Sequence, residues 1–185
     1  MAEIRFKAFL SCGFTEEDKE VIDFFKRMIA AFDINHTIYD YQEIGRISNK
    51  VKESIIKSDC LIAIATRKNK IEGSDYWTCS DWIQHEIALA NAFSKPIAIF
   101  VEEGVKIEGL IAMEERRERF DRHNLLKNID KITTFLFKLR DHLESTYQTG
   151  ILEAPVLLRH YIHAREEILS RELTVERTEI LMESL

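Results

Sequence analysis

The sequence of 185 residues is poor in cysteine, proline and glycine, and these shortages exclude several classes of protein. Its three cysteines, Cys12, Cys60 and Cys79, are odd in number and form no C-x-x-C pair, so neither a disulfide framework nor a metal site is indicated. Two prolines, six glycines and 45% hydrophobic residues favour one well-packed core rather than two. The unpaired cysteines indicate a reducing compartment.

The chain also lacks an excess of positive charge and a long apolar run. Its 26 lysines and arginines against 32 aspartates and glutamates give a net charge of -6, which repels a phosphate backbone, so no nucleic-acid partner is expected. No stretch approaches the roughly 18 apolar residues of a membrane span, and the first segment, MAEIRFKAFLS, carries charges within its first seven residues and too short an apolar run for a signal peptide. The sequence therefore predicts a cytoplasmic protein without a membrane segment.

What the sequence does contain is an alternation of short apolar runs with amphipathic helical segments. Runs such as LIAIA and IAIFV do not alternate with polar residues, which is typical of strands covered by helices on both faces. Thr15 and Asp18 are predicted as N-cap and N3 of the first helix. That helix carries an apolar stripe of Ile22, Phe25, Ile29 and Phe32.

Repetition of this strand and helix unit predicts a parallel sheet, with ligands bound beyond the carboxyl ends of its strands. The loops at that edge are SCGF, DYQEIGR and TRKNKIEGSDYWTC. Farther along, the charged stretch 105–124 predicts one edge strand near 119–122, and the spacing of its leucines and isoleucines predicts a helix over 125–143. We expect an α/β domain over residues 1–146 and a helical extension over 147–185, with an apolar stripe in 156–173.

One carboxylate stands out in the stretch SDWIQHEIALANAF. At helical spacing Glu86 lies on an apolar stripe with Trp82, Leu89 and Phe93, directly after the long loop that carries Trp77. Ile83, Ile87 and Ala90 lie beside this stripe. A solvated edge position, or pairing with Lys95 or an arginine, is the structural interpretation of Glu86. Aromatic side chains beside one carboxylate at a strand end indicate instead a pocket for a ring attached to a sugar.

The stretch CSDWIQHEI resembles the catalytic helix of Toll/interleukin-1 receptor (TIR) domains that cleave NAD, which have the pattern Cys-x-Asp-Trp-x-x-x-Glu. The matching residues are Cys79, Asp81, Trp82 and Glu86. KAFLSCGF, IYDYQEIGR and IKSDCLIAIAT resemble other TIR segments in the same order, over roughly residues 4–143. The resemblance implies a flavodoxin-like three-layer sandwich with a parallel sheet.

The resemblance also implies an activity, which is NAD⁺ nucleosidase action that yields nicotinamide and ADP-ribose or a cyclic ADP-ribose. Nicotinamide leaves NAD as an already cationic group, so one carboxylate that binds the ribose suffices, whereas ordinary glycoside hydrolysis uses two. Glu86 is the expected catalytic residue, with NAD as substrate and no cofactor or metal. The expected substrate-binding residues are Ser11, Cys12, Gly13, Phe14, Asp40, Arg46, Trp77 and Trp82.

Two alternatives remain open on the sequence. A nucleoside deoxyribosyltransferase-like enzyme has a similar Glu-x-x-x-Ala helix followed by SKPI, and a non-catalytic TIR interaction module needs no catalytic Glu86. Core packing is nearly as good an explanation of Trp82 as ligand contact, and Cys12 is better explained as a small buried hydrophobe than as a nucleophile. The resemblance further implies a role in antiviral defence and self-association, for which the C-terminal helix is the natural element.

Overall fold

The computed structural model describes residues 6–38, 49–114 and 116–149. Its strands are β1 (Phe6–Cys12), β2 (Ile34–Thr37), β3 (Cys60–Ala65), β4 (Ile97–Glu102) and β5 (Arg117–Phe120). Its helices are α1 (Lys19–Ala31), α2 (Asn49–Lys57), α3 (Asp81–Ala92), α4 (Gly109–Met113) and α5 (129–149).

The five strands form one parallel sheet in the order β2-β1-β3-β4-β5. This is the flavodoxin-like order, in which ligands bind outside the carboxyl ends of the strands where the strand order reverses. The reversal lies between β1 and β3. The predicted flavodoxin-like α/β fold is confirmed, and it directs attention to the carboxyl end of β1.

The sheet has a core on each face, which explains its unbroken apolar strands. Every residue of β3 and β4 is buried. One core contains Phe25 of α1 and Leu136 of α5, and the other contains Val51 of α2 and Ile87 of α3. The two cores make the three layers of helices, sheet and helices.

Successive side chains of β1 point to opposite faces of this sheet. Leu10 and Cys12 belong to the core on the α1 and α5 side, whereas Phe9 belongs to the core on the α2 and α3 side. Ser11 is two residues beyond Phe9, so its side chain also points to the α3 side. This alternation places a hydroxyl between the end of β1 and the helix that carries Glu86.

The start of the first helix differs from its prediction. A short 3₁₀ turn, Glu16–Asp18, precedes α1, and Thr15 caps that turn rather than the α-helix. The Thr15 hydroxyl donates to the Asp18 carboxylate at 2.7 Å instead of accepting from a backbone amide. Asp18 is buried, and this burial competes with the reciprocal capping arrangement that the sequence predicts.

The last two described elements begin away from their predicted positions. β5 pairs with β4 over Arg117–Phe120, two residues before the predicted 119–122. Residues 125–128 form turns, so α5 begins at 129 rather than 125. The predicted apolar face is otherwise present, since Ile132, Leu136, Leu139 and Leu143 are all buried.

The chain divides into two compact units, Met1–Leu143 and Glu144–Leu185. The predicted helical stripe in 156–173 lies outside the described residues, so the extension, its boundary near residue 146 and its role in self-association stay predictions. Among the residues that the structure describes, no helix has the length and apolar character that crossing a membrane requires.

Candidate functional site

Glu86 lies on the buried face of α3 and is only 2% exposed. Its neighbours on that face are Ile83, Ile87 and Ala90, all buried. The predicted apolar stripe is therefore displaced, because Phe93 is exposed and Trp82 and Leu89 are only partly buried. Glu86 is therefore not at a solvated edge of the helix. Burying a carboxylate is costly unless the protein compensates it, so this position needs an explanation.

The charge of Glu86 acts on the end of β1. Burial raises the pKa of the Cys12 thiol to about 12, and the next largest cause is the negative charge of Glu86. The helix α3 that carries Glu86 also packs against β1, and both groups are buried, so water screens their interaction little. Glu86 and the carboxyl end of β1 are therefore close together, as the parallel topology predicts. The same raised pKa keeps Cys12 protonated, which argues against its use as a nucleophile.

Ser11 is the polar residue of β1 at this end, and it is 1% exposed. Its hydroxyl oxygen has no hydrogen-bond partner among the described residues. A buried hydroxyl without a partner costs about 1–3 kcal/mol, and such groups are rare in folded proteins. Ser11 is thus an energetically unfavourable feature on the face of the sheet that α3 covers.

Gly13 and Phe14 continue from β1 into a groove of about 350 Å³, which Lys26 and Ile38 also line. Phe14 is exposed at the groove. Gly13 has little free space, because a Cβ there would lie 2.6 Å from the Asp18 Oδ2 atom and 3.2 Å from the Thr66 Oγ1 atom. The close approach of this loop to Asp18 explains why a glycine stands at position 13.

The two predicted tryptophans lie in different surroundings. Trp82 is on α3, one turn before Glu86, and its ring packs edge-on against His85 with centroids 5.9 Å apart. The amide of Trp77 donates to the Gly104 carbonyl, and the Trp77 carbonyl accepts from the Lys106 amide, both at 2.9 Å. Trp77 is therefore fixed beside the loop after β4. The roles of both tryptophans stay predictions.

Asp40 and Arg46, which belong to the predicted loop DYQEIGR, lie outside the described residues. Of the predicted site, the structure thus brings Ser11, Cys12 and Glu86 to one place. Among the described residues, no group of three or more histidines, cysteines, aspartates and glutamates is arranged to hold a metal ion.

Sequence reasoning missed a network of buried charges at the same edge of the sheet. Arg122 donates from Nε and Nη2 to the two carboxylate oxygens of Glu102 at 2.5 and 2.7 Å, and from Nη2 to Asp18 at 3.0 Å. The backbone amide of Arg67 also donates to Glu102 at 2.8 Å. Bonding to Glu102 raises the pKa of Arg122 above its ordinary value. The signal in the sequence was the carboxylate of Glu102 at the end of the otherwise apolar strand IAIFVE.

This charge network joins the loops around the candidate site. Asp18 precedes α1, Arg67 follows β3, Glu102 ends β4 and Arg122 follows β5. Arg67 also donates through its guanidinium to the Glu103 carbonyl. The network therefore fixes four chain segments at the carboxyl edge of the sheet, including the Gly13 to Asp18 loop.

No protein-family model and no curated protein matches the chain. A CMP N-glycosidase from Clostridium botulinum is similar in structure, with 14% identity, a TM-score of 0.47, and coverage of 68% of this chain and 97% of that one. A 2-deoxyribosyltransferase from Bacillus psychrosaccharolyticus is similar with 15% identity, a TM-score of 0.44, and coverage of 66% and 90%. A diflavin flavoprotein from Nostoc sp. is similar with 12% identity, a TM-score of 0.48, and coverage of 80% and 99%.

At these identities and TM-scores the likenesses carry no inference about activity. None of the three structures is described as a TIR domain. The name of the second corresponds to the nucleoside deoxyribosyltransferase-like enzyme that the sequence left open as an alternative, and the first is named as an N-glycosidase of a nucleotide.

Proposed function

We propose that this protein cleaves the N-glycosidic bond between a ribose and a nitrogen-linked base, with Glu86 as the carboxylate that contacts the ribose. The observation that supports the proposal most is the position of Glu86. It is a buried carboxylate at the carboxyl end of β1, beside the point where the strand order reverses. Ligands of open parallel sheets bind at this position.

The chemistry needs little more than this carboxylate when the base leaves readily. Positive charge develops on the ribose as the bond to the base breaks, and a fixed negative charge beside C1′ stabilises it. Removal from water strengthens the interaction, since the effective dielectric constant is lower in a covered site. Water or an acceptor hydroxyl then adds to C1′ and gives up its proton to Glu86, which orients it on this proposal.

NAD is the first candidate substrate, because the motif of Cys79, Asp81, Trp82 and Glu86 resembles that of NAD-cleaving TIR domains. Its nicotinamide is a cationic leaving group that needs no general acid. On this proposal the products are nicotinamide and ADP-ribose or a cyclic ADP-ribose.

A nucleoside or nucleotide is the second candidate substrate, because the buried carboxylate of Glu86 serves either reaction. The names of the two similar enzymes fit this class rather than NAD. A neutral base leaves less readily than nicotinamide, so this reaction also needs a group that protonates the departing base.

The test is a substrate panel with the purified full chain. NAD, CMP, dCMP and 2′-deoxyadenosine are incubated separately, and the free base is quantified by liquid chromatography. We expect nicotinamide release from NAD. Release of cytosine or adenine with NAD intact would show that a nucleoside or nucleotide is the substrate instead. No release from any substrate would favour a non-catalytic role.

A further inference from the structure

We propose that the Ser11 hydroxyl binds the 2′-hydroxyl of the substrate ribose and makes the site selective for ribose over 2′-deoxyribose. This inference rests on the proposed function and makes it more specific. The observation behind it is that Ser11 is buried, lies on the α3 side of β1, and has no hydrogen-bond partner among the described residues.

A second buried serine, Ser58, differs from Ser11 in having a hydrogen-bond partner. Ser58 is as buried as Ser11, and its hydroxyl donates to the Ser54 carbonyl at 2.8 Å. Ser11 lies in a strand whose backbone groups pair with neighbouring strands, and its side chain finds no acceptor there. An unsatisfied group of this kind calls for an explanation, and a ligand is one of the few available.

The direction of hydrogen bonding identifies a hydroxyl as the fitting ligand group. Glu86 accepts hydrogen bonds when ionised, and Ser11 has a proton to donate. Ser11 is not bonded to Glu86, although Ser11 lies on the face of β1 that α3 covers and Glu86 lies on the buried face of α3. A ribose hydroxyl between them accepts from Ser11 and donates to Glu86, which gives the Ser11 hydroxyl the partner that it lacks among the described residues.

The 2′-hydroxyl is the ribose hydroxyl nearest to the reacting carbon. Glu86 acts at C1′ in the proposed reaction, so a neighbouring group on β1 reaches the substituent on the adjacent carbon first. Hydrogen bonds to this hydroxyl strengthen as positive charge develops on the sugar ring. Both protein groups are almost fully covered, so ribose binding requires local opening at this edge of the sheet.

The experiment compares Ser11→Ala with the wild-type chain on two substrate pairs. These are NAD against its analogue lacking the 2′-hydroxyl on the nicotinamide ribose, and CMP against dCMP. We expect the wild type to prefer the ribose member by about 10²-fold or more in kcat/KM, because a site built to bind a hydroxyl rejects an analogue that lacks it. Ser11→Ala is expected to lose most of this preference by slowing the ribose substrate alone.

Ser58→Ala is the matched control, because it removes an equally buried hydroxyl that has a partner. It should lower the melting temperature and leave the preference for ribose unchanged. Ser11→Ala should keep or raise the melting temperature, since it removes an unsatisfied polar group. Unchanged selectivity in Ser11→Ala, or equal slowing of both members of a pair, would overturn the inference.

Absence of turnover would count against the proposed function rather than against Ser11. In that case the inference is decided by calorimetric binding of the same substrate pairs to the wild type and Ser11→Ala. Tighter binding of the ribose member that is lost in Ser11→Ala would support it. Equal affinity of the wild type for both members would overturn it.

Discussion

The thiols of the three cysteines ionise less readily than a free cysteine, because each is at least partly buried. Burial raises the pKa of the Cys12 and Cys60 thiols to about 12, and that of Cys79 to about 11. Cys79 is also more accessible than the other two. Since the thiolate is the reactive species, the protein should resist thiol reagents near pH 8.

We expect Cys79 to react first with iodoacetamide, and Cys12 and Cys60 to react only when the protein unfolds. Peptide mass spectrometry after timed labelling measures the three rates, with denatured protein as the reference. Rapid labelling of Cys12 in the folded protein would contradict the account, because it would show an accessible thiolate beside Glu86.

The same shifts set a direction for stability against pH. Each folded pKa lies above the ordinary value of 9.0, so the folded state holds these protons more tightly than the unfolded state. The stabilisation is complete below pH 9 and is lost as the pH rises towards 11 and 12. In urea titrations Cys60→Ala should show a shallower alkaline loss of stability than the wild type.

At the scale of elements, the sequence predicted the strand and helix order because each element carries its own periodic pattern. LIAIA and IAIFV are fully buried strands, as their unbroken apolar character indicated. The ends of elements were less predictable. Residues 125–128 form turns, so α5 begins at 129. The leucine and isoleucine spacing that predicts this helix already begins at Leu125, and it therefore did not show where the helix starts.

The charge network was not predictable, because its partners are far apart in the sequence. Arg122 and Asp18 are 104 residues apart, and Arg67 and Glu102 are 35 apart. No local pattern specifies such pairs; only the sheet topology brings the strand ends together. Asp18 illustrates this, since its local sequence predicts a helix cap whereas tertiary contact with Arg122 buries it.

We predict that Arg122→Met destabilises the protein by about 3–5 kcal/mol, because Glu102 is fully buried and loses its bidentate partner. Urea unfolding measures the change. Arg140→Met is the matched control. Its partner Asp33 is 2.9 Å away, but both side chains are about one-third exposed, so the loss should stay below about 1 kcal/mol. Equal effects of the two substitutions would show that the network does not hold the loops together.

At the scale of the whole molecule, the fold was predictable and the site only in part. The order of βα units identified the carboxyl edge of the sheet, and a periodic helix pattern singled out Glu86. The pattern centred the stripe on the wrong side of Glu86. Ile83, Ile87 and Ala90, which it placed beside the stripe, are the residues that face the sheet, whereas Phe93 is exposed. The missing hydrogen bond of Ser11 depends on packing, which no sequence pattern reports.

Base release by Glu86→Gln tests most directly whether Glu86 is the carboxylate that cleaves the N-glycosidic bond. The substitution keeps the size of the side chain and removes its charge, so the fold should persist while cleavage falls about 10³-fold or more. Glu53→Gln, which changes an exposed carboxylate on α2, is the control and should cleave at the wild-type rate. Circular dichroism and melting curves establish that each variant is folded. We expect loss of cleavage in Glu86→Gln alone. Wild-type base release by a folded Glu86→Gln protein would show that the reaction does not need the Glu86 carboxylate.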